Sequence, residues 1–370
     1  MARYELSLTP DYVPDWGIVE AFRELFQNAV DQSSSEGNEM FWNYNSLDKV
    51  FTLGNKSSVL TTTSLLLGSS TKTEDESLIG KYGEGYKIAL LVLTRLNKNV
   101  TIYNYGAREV WRPKFINSKR YQSKLLVVDV DRKHIWSKVP DNNLRIQIEN
   151  VSSSDVVKIK ESILFLQENY ESIQSGDCEI LTDERHRGKL FVNGLYVSSM
   201  EGFKYGYNLP PDLLDLDRDR KTVREFDLTW ETSRLWSEVD ATKHSSKIIE
   251  LLVENSREVQ YISHRLTSSK NSDEIKERAF DFFIEKYGPN SVPISSEEDK
   301  KRVDKMRNAV IVSEVFKNVV TGSSRFDSQV YIPTKSLKEQ VSDWLLKHEA
   351  FIPVEAIEEL NKIIESSEEY

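Results

Sequence analysis

Hydrophobic and polar positions alternate along this chain with two clear periods. From Trp16 to Gln32, at about 100° per residue, Ile18, Val19, Phe22, Leu25, Phe26, Ala29 and Val30 gather on one side of a helix. Asp15 is its expected N-cap, with Pro14 setting the entry, and Ser33 to Asn38 reads as a loop. A second apolar run of helical length, Ile88 to Leu93, follows the glycines of Ile79–Arg95. Strand-like runs occur at residues 3–9 (a short edge strand), 40–44, 49–53, 100–105, 110–111, 125–130 and 144–148. A helix is expected over 155–170. Residues 60–68 read as wholly or partly helical, and 69–77 as a polar lid-like loop. The pattern predicts an α+β fold, an antiparallel or mixed sheet covered by helices, over residues 1–187.

Beyond it, Lys189 to Val197 carries Asn193-Gly194 between apolar runs, a strong hairpin signal. Helices are expected at 228–265 and 272–287, a linker at 288–299, a short strand at 310–312, and helix over most of 336–366, broken at Pro353. The expected division is therefore 1–187, a hairpin-plus-helices region 188–289 that could relay movement, and a small mostly helical region 290–370.

Three residues on the first helix change the picture from shape to chemistry. Glu24, Asn28 and Asp31 follow at spacings of four and three and form one stripe. A solvated face normally interleaves opposite charges; this stripe has none, and Glu20 adds repulsion. Two acids with an amide between them suit a divalent cation and a water. Gly80, Gly83 and Gly85 then open a helix, where free N–H groups and the helix dipole favour an anion, with Lys81 and Lys87 alongside. Spacing excludes two other phosphate loops. Gly54-Asn55-Lys56-Ser57 lacks the length of a Walker A loop, and Ile88 stands where a Rossmann fingerprint needs its third glycine.

These motifs resemble those of the GHKL, or Bergerat-fold, ATPases: gyrase-type topoisomerases, ninety-kilodalton heat-shock chaperones, MutL proteins and sensor histidine kinases. Glu24, Asn28 and Asp31 match E-x-x-x-N-x-x-D, and Gly80, Gly83 and Gly85 match the lid motif G-x-x-G-x-G, with wording nearest the chaperone branch. Ser70-Thr71-Lys72 is similar to the polar step before the lid in MutL-type members. The resemblance covers roughly residues 10–150. It implies ATP and Mg²⁺ as cofactors, with Glu24 activating water and Asn28 holding the metal. Asp31, Thr52, Gly54, Asn55, Thr71, Lys72, Gly80, Lys81, Tyr82, Gly83, Glu84, Gly85 and Lys87 would line the nucleotide. The base-reading positions depart from the family: Thr52 stands where an Asp accepts from adenine, Lys56 replaces a glycine, and Asn143-Leu144 replaces Gly-Thr. The resemblance also implies an ATP-dependent homodimer, a macromolecular partner (protein or DNA), and a second-domain cation on the γ-phosphate, for which Lys189, Arg218, Arg220 and Lys221 are candidates.

Composition narrows the rivals. The 370 residues are 39% apolar with seven Trp, enough for a real core. A single Cys178 excludes an intrachain disulfide and suits a reducing, cytoplasmic setting, and five scattered His give no metal-hydrolase pair. A net charge of −10 argues against a globally basic coat for nucleic acid, leaving local patches such as Arg218–Arg224. No apolar run is long enough to span a membrane, and the first residues lack a signal-peptide core. A histidine kinase would need a phosphoacceptor His before the first helix, and residues 1–14 contain none. Two functions stay open: an ATPase driving a conformational switch, and a nucleotide-gated or nucleotide-free protein acting on a partner without turnover.

Overall fold

The computed structural model describes residues 1–66, 84–132, 143–214, 224–303 and 306–331, with a few further positions up to 360. Two compact units result, 1–235 and 236–370. The expected lid at 69–77, the cations Arg218, Arg220 and Lys221, and most of 336–366 lie outside the described residues.

In the first unit the chain opens on β1 (Ala2–Glu5) and α1 (Ile18–Glu36). β2 (Met40–Asn45), β3 (Val50–Asn55), α2 (Gly85–Arg95), β4 (Asn99–Asn104), β5 (Glu109–Ser118), β6 (Ser123–Arg132), β7 (Leu144–Glu149) and α3 (Ser153–Ser162) follow. Seven strands form one antiparallel sheet in the order β1-β6-β5-β4-β7-β3-β2, so β1 is an edge strand as its weak pattern predicts. The fold is α+β. Strand alternation explains its layers. In β7, Leu144, Ile146 and Ile148 are buried while Arg145, Gln147 and Glu149 are half-buried, which gives one apolar face to be covered by helices. Phe51 sits at the centre of that face, its ring 4.9 Å from Phe22 and 5.9 Å from Phe26 of α1, and 6.0 Å from Trp42. α2 is buried all round from Lys87 to Leu93, as its near-continuous apolar run requires.

Several boundaries differ from the sequence reading. Gly17, not Asp15, precedes the first helical turn, and the Gly17 N–H donates to the Glu20 carboxylate at 2.8 Å. Glu20 thus serves the start of the helix rather than repelling Glu24. The serines expected in a loop are helical to Glu36. The stop comes from Gly37, which is left-handed (φ 68°) and donates its N–H to Ser33 O. α3 ends at Ser162 because Ile163 turns extended and bridges Leu195. β5 and β6 run ten residues each, well past the expected strands.

A second sheet contains β8 (Ser172–Ser175), β9 (Cys178–Leu181), β10 (Lys189–Val192), β11 (Leu195–Ser199) and β12 (Gly206–Leu209), in the order β11-β10-β12-β9-β8. The expected β10–β11 hairpin is present. Asn193 and Gly194 both have positive φ, 46° and 76°, the condition for a type I′ turn.

Within the helical stretch expected at 228–265 the chain makes α4 (Glu225–Glu238), α5 (Ala241–Val253) and the short α6 (Ile262–Leu266). Asp240 breaks the run by accepting from the Thr242 N–H as an N-cap, and Asn255 ends the next turn at φ 53°. α7 (Ser272–Tyr287) matches its predicted span. The expected linker after it instead contributes β13 (Ser291–Ile294), which pairs in parallel with β14 (Asn308–Ile311). α8 (Glu314–Thr321) packs on α7 through Phe316 and Phe283, and Val292, Ile294, Val303 and Val330 form a small core of their own.

Candidate functional site

α1 and α2 supply the residues that the sequence singled out. Both acids of the α1 stripe are buried, Glu24 at 6% exposure and Asp31 at 1%, and Asn28 is half-buried. That burial disposes of a solvated face, since a carboxylate is removed from water only where something compensates it. The Asn28 amide nitrogen donates to the Glu24 backbone carbonyl at 2.7 Å, which fixes the side chain along the helix.

Gly85, the first residue of α2, lies against the end of the Glu24 side chain. A Cβ built on Gly85 would stand 1.9 Å from Glu24 Oε2. The glycine is therefore needed for a close approach between a carboxylate and a helix N-terminus, not for an unusual φ. Glu84 occupies the position before the helix. Lys87 is fully buried and its ammonium donates to Leu66 O at 2.5 Å; burial pushes its pKa down, and Glu84 opposes that shift. One residue on from Gly85, the Tyr86 hydroxyl is buried with no hydrogen-bond partner among the described residues, and burial raises its pKa. Thr71, Lys72, Gly80, Lys81, Tyr82 and Gly83 lie outside the described residues.

The base-side positions behave differently. Phe51 and Leu53 face α1, so Thr52 alternates to the opposite face of the sheet, between Asn43 and Gln147. Gly54 is a crossing point: a Cβ there would be 1.9 Å from Leu144 O of the neighbouring strand. Asn55 is buried, and its amide nitrogen bridges Ala29 O at 2.8 Å and Asn38 O at 2.9 Å, tying the end of β3 to α1. Asn143 Oδ1 accepts from the Ser57 N–H, and Leu144 is buried. Lys189 is half-buried at the start of β10.

Arg95, in the last turn of α2, drew no notice in the sequence. Its guanidinium donates to four backbone carbonyls of the segment leading into α1: Pro10 and Tyr12 at 3.0 Å, Val13 at 3.1 Å and Trp16 at 2.6 Å. One side chain thus holds the entry of α1 against the end of α2. The available signal was only a cation near a helix C-terminus, which predicts a favourable dipole and not this set of acceptors. Arg23, beside Glu24, is also buried; Nη1 donates to Tyr196 O at 3.3 Å, while Nε and Nη2 have no acceptor among the described residues.

The residues present fit part of a nucleotide–metal group. A divalent cation that takes most of its ligands from phosphates and water needs few protein oxygens, and an amide one helical turn from a carboxylate meets that need. On the base side the fit fails, because Thr52 is turned from α1 and the Asn55 donors are committed. Among the described residues no cluster of three or more His, Cys, Asp and Glu could hold a metal unaided, and no helix is long and apolar enough to cross a membrane.

No protein-family model matches this chain. An uncharacterized protein of Mycoplasma pneumoniae is 27% identical over 221 residues, covering 56% of this chain and 86% of that protein. Among solved structures, the B-subunit of DNA gyrase from Myxococcus xanthus matches 66% of this chain and 93% of its own, with 9% identity and a TM-score of 0.30. A likeness that weak carries no argument about this chain.

Proposed function

We propose that the α1–α2 site binds ATP with Mg²⁺ and hydrolyses it slowly, in the manner of a GHKL-type ATPase. The observation that carries this reading is the contact of the Glu24 carboxylate with Gly85, which joins the two motifs across about sixty residues of sequence. In this reading Asn28 Oδ1 would hold the cation, which would neutralise phosphate charge. Glu24 would orient the attacking water and accept its proton, and the backbone donors at the start of α2 would face the phosphates. Asp31 would hold water or the sugar. Lys87 would support the first turn of α2 from within, given its bond to Leu66 O. Little covalent chemistry is asked of the protein, so a slow cycle that closes and resets a homodimer is the expected use.

A second reading is favoured by Thr52 and Asn55: a protein that binds nucleotide weakly or not at all and acts on a partner without turnover. Titration with ATP, GTP and a non-hydrolysable analogue in Mg²⁺, followed by phosphate release, separates the two. Glu24→Ala should keep nucleotide binding and lose release by about 10²-fold or more. If the wild type binds no nucleotide, the ATPase reading is lost. If Glu24→Ala releases phosphate at the wild-type rate, Glu24 is not the base.

A further inference from the structure

The β5–β6 pair is much longer than its neighbours. β4 pairs with β5 only as far as Trp111, and β1 and the residues after it pair with β6 only from Leu126 onward. From Arg112 to Ser118, and from Ser123 to Leu125, the two strands have only each other as ladder partners. Over Ile116–Ser118 and Ser123–Leu125 they form a two-stranded ribbon that continues past the sheet for three residues, roughly 10 Å at about 3.4 Å per residue, before its turn. Its root is anchored by the buried Leu125 to Val128 and its tip is a turn over residues 119–122, closed by Gln122 at φ 49°.

The charge on this ribbon is unlike that of the chain. Against a net charge of −10, the stretch from Val110 to Val128 contains five cations, Arg112, Lys114, Lys119, Arg120 and Lys124, and no acid. All five are exposed. Lys114 is paired with Asp129 at 2.5 Å, but Arg112, Lys119, Arg120 and Lys124 have no ion-pair partner among the described residues. Register puts Lys124 on one face of the ribbon and Lys119 and Arg120 at its tip, with Arg112 and Lys114 on the opposite face at its root, where β6 still pairs with β1. Aromatic rings lie among them. Tyr121 at the apex is 54% exposed with the Arg120 guanidinium 5.4 Å from its ring centre, and Lys124 Nζ lies 5.3 Å from that of Phe115.

We infer that this ribbon is a docking surface for duplex DNA, entering the major groove tip first. Lys119, Arg120 and Lys124 contact phosphates at the groove walls, and Tyr121 reaches the base edges. A two-stranded ribbon fits a B-form major groove about 12 Å wide. Exposed cations at the tip and along one face, Lys119, Arg120 and Lys124, suit a polyanion such as the phosphate backbone. The tip, Lys119-Arg120-Tyr121-Gln122, carries no aliphatic side chain to insert into a membrane, and a stretch with five cations and no acid favours a polyanion over a protein surface of mixed charge. None of this depends on nucleotide binding by α1 and α2.

The test uses the full chain and a labelled mixed-sequence duplex of about 30 base pairs, followed by anisotropy between about 50 and 200 mM salt. The triple variant Lys119→Glu, Arg120→Glu, Lys124→Glu is compared with a control of equal charge change, Lys270→Glu, Lys300→Glu, Lys301→Glu. Melting curves and the neutral variant Lys119→Gln, Arg120→Gln, Lys124→Gln guard against misfolding. Removing three phosphate contacts should lower the salt slope of log K by roughly 2.7 and weaken binding at low salt by tenfold or more, while the control changes little. Tyr121→Ala should weaken binding without changing the slope. Equal loss in ribbon and control variants, no binding at about 50 mM salt, or binding to phosphatidylserine vesicles in place of DNA would each overturn the inference.

Discussion

Gly85→Ala is the perturbation that separates the geometry of the site from the stability of the fold. The added methyl would stand 1.9 Å from Glu24 Oε2, 2.9 Å from Cδ and 3.4 Å from Cγ. An ordinary carbon–oxygen contact is about 3.3 Å, so the carboxylate oxygen must retreat by roughly 1.4 Å. Glu24 can do so cheaply, because the clash is with the far end of a flexible side chain. Gly85 opens a helix, where alanine gains up to about 1 kcal/mol over glycine. The melting temperature should therefore hold or rise. A water-positioning group misplaced by about 1 Å costs on the order of 10²-fold in rate, or about 2.7 kcal/mol of barrier. Phosphate release in saturating Mg·ATP, measured beside a calorimetric titration and a thermal melt, should fall by that factor with nucleotide affinity within about threefold. Wild-type turnover in a normally folded Gly85→Ala would refute the role given to Glu24. A collapse in stability would show that the buried Glu24 side chain cannot retreat, refuting the cheap displacement assumed here.

Two further outcomes follow from the same structure. Gly54→Ala meets the same 1.9 Å overlap, but with the backbone oxygen Leu144 O; strands β3 and β7 must part, at a cost of roughly 3 kcal/mol or more in a urea titration. A loss within about 0.5 kcal/mol would show that β3 and β7 do not cross there as described. His186, 1% exposed, has its pKa pushed down to about 4 by burial and, secondarily, by Arg185, with Nε2 2.8 Å from Gln167 Oε1. Its folded value lies below the unfolded one, so its contribution is complete above about pH 6.5 and is lost as pH falls toward 4, amounting to a few kcal/mol at most. His186→Gln should flatten the stability profile in that window; an unchanged slope would place the titration elsewhere.

How far the fold could be read in advance depended on where each residue's partner lay. α1, α2, β7 and the Asn193-Gly194 hairpin are set by period and turn chemistry within a few residues of themselves, and each appears where the pattern puts it. Failures occurred where a distant contact decided. α3 stops at Ser162 because Ile163 pairs with Leu195, thirty-two residues away, and nothing local to 155–170 announces that bridge. The distal half of β5, Arg112 to Ser118, has too many polar residues to read as strand. It is strand because β6 supplies the ladder and the ribbon needs no buried face beyond its root.

The candidate site divides along the same line, and the division bears on function. An i, i+4, i+7 stripe on a helix is a local fact, so Glu24, Asn28 and Asp31 were readable, and only their burial had to come from the fold. That Gly85 would be the glycine abutting Glu24 depends on how α2 docks on α1, which Arg95 fixes through four carbonyls of the segment before α1. The base-reading side was inferred by counting along β3, a method blind to which face each residue presents. Once Phe51 is seen to pack on Phe22 and Phe26, alternation turns Thr52 away from α1 and leaves Asn55 as a tie between strand and helix. On the proposed ATPase reading, a site with Glu24 held against Gly85 but with Thr52 turned away should discriminate poorly between bases. ATP and GTP should then bind within about tenfold of each other, because Thr52 offers no carboxylate to the adenine amino group. A preference for ATP of 10³-fold or more would mean that residues other than Thr52 read the base, and that the pairing of β3 with β7 does not exhaust the site.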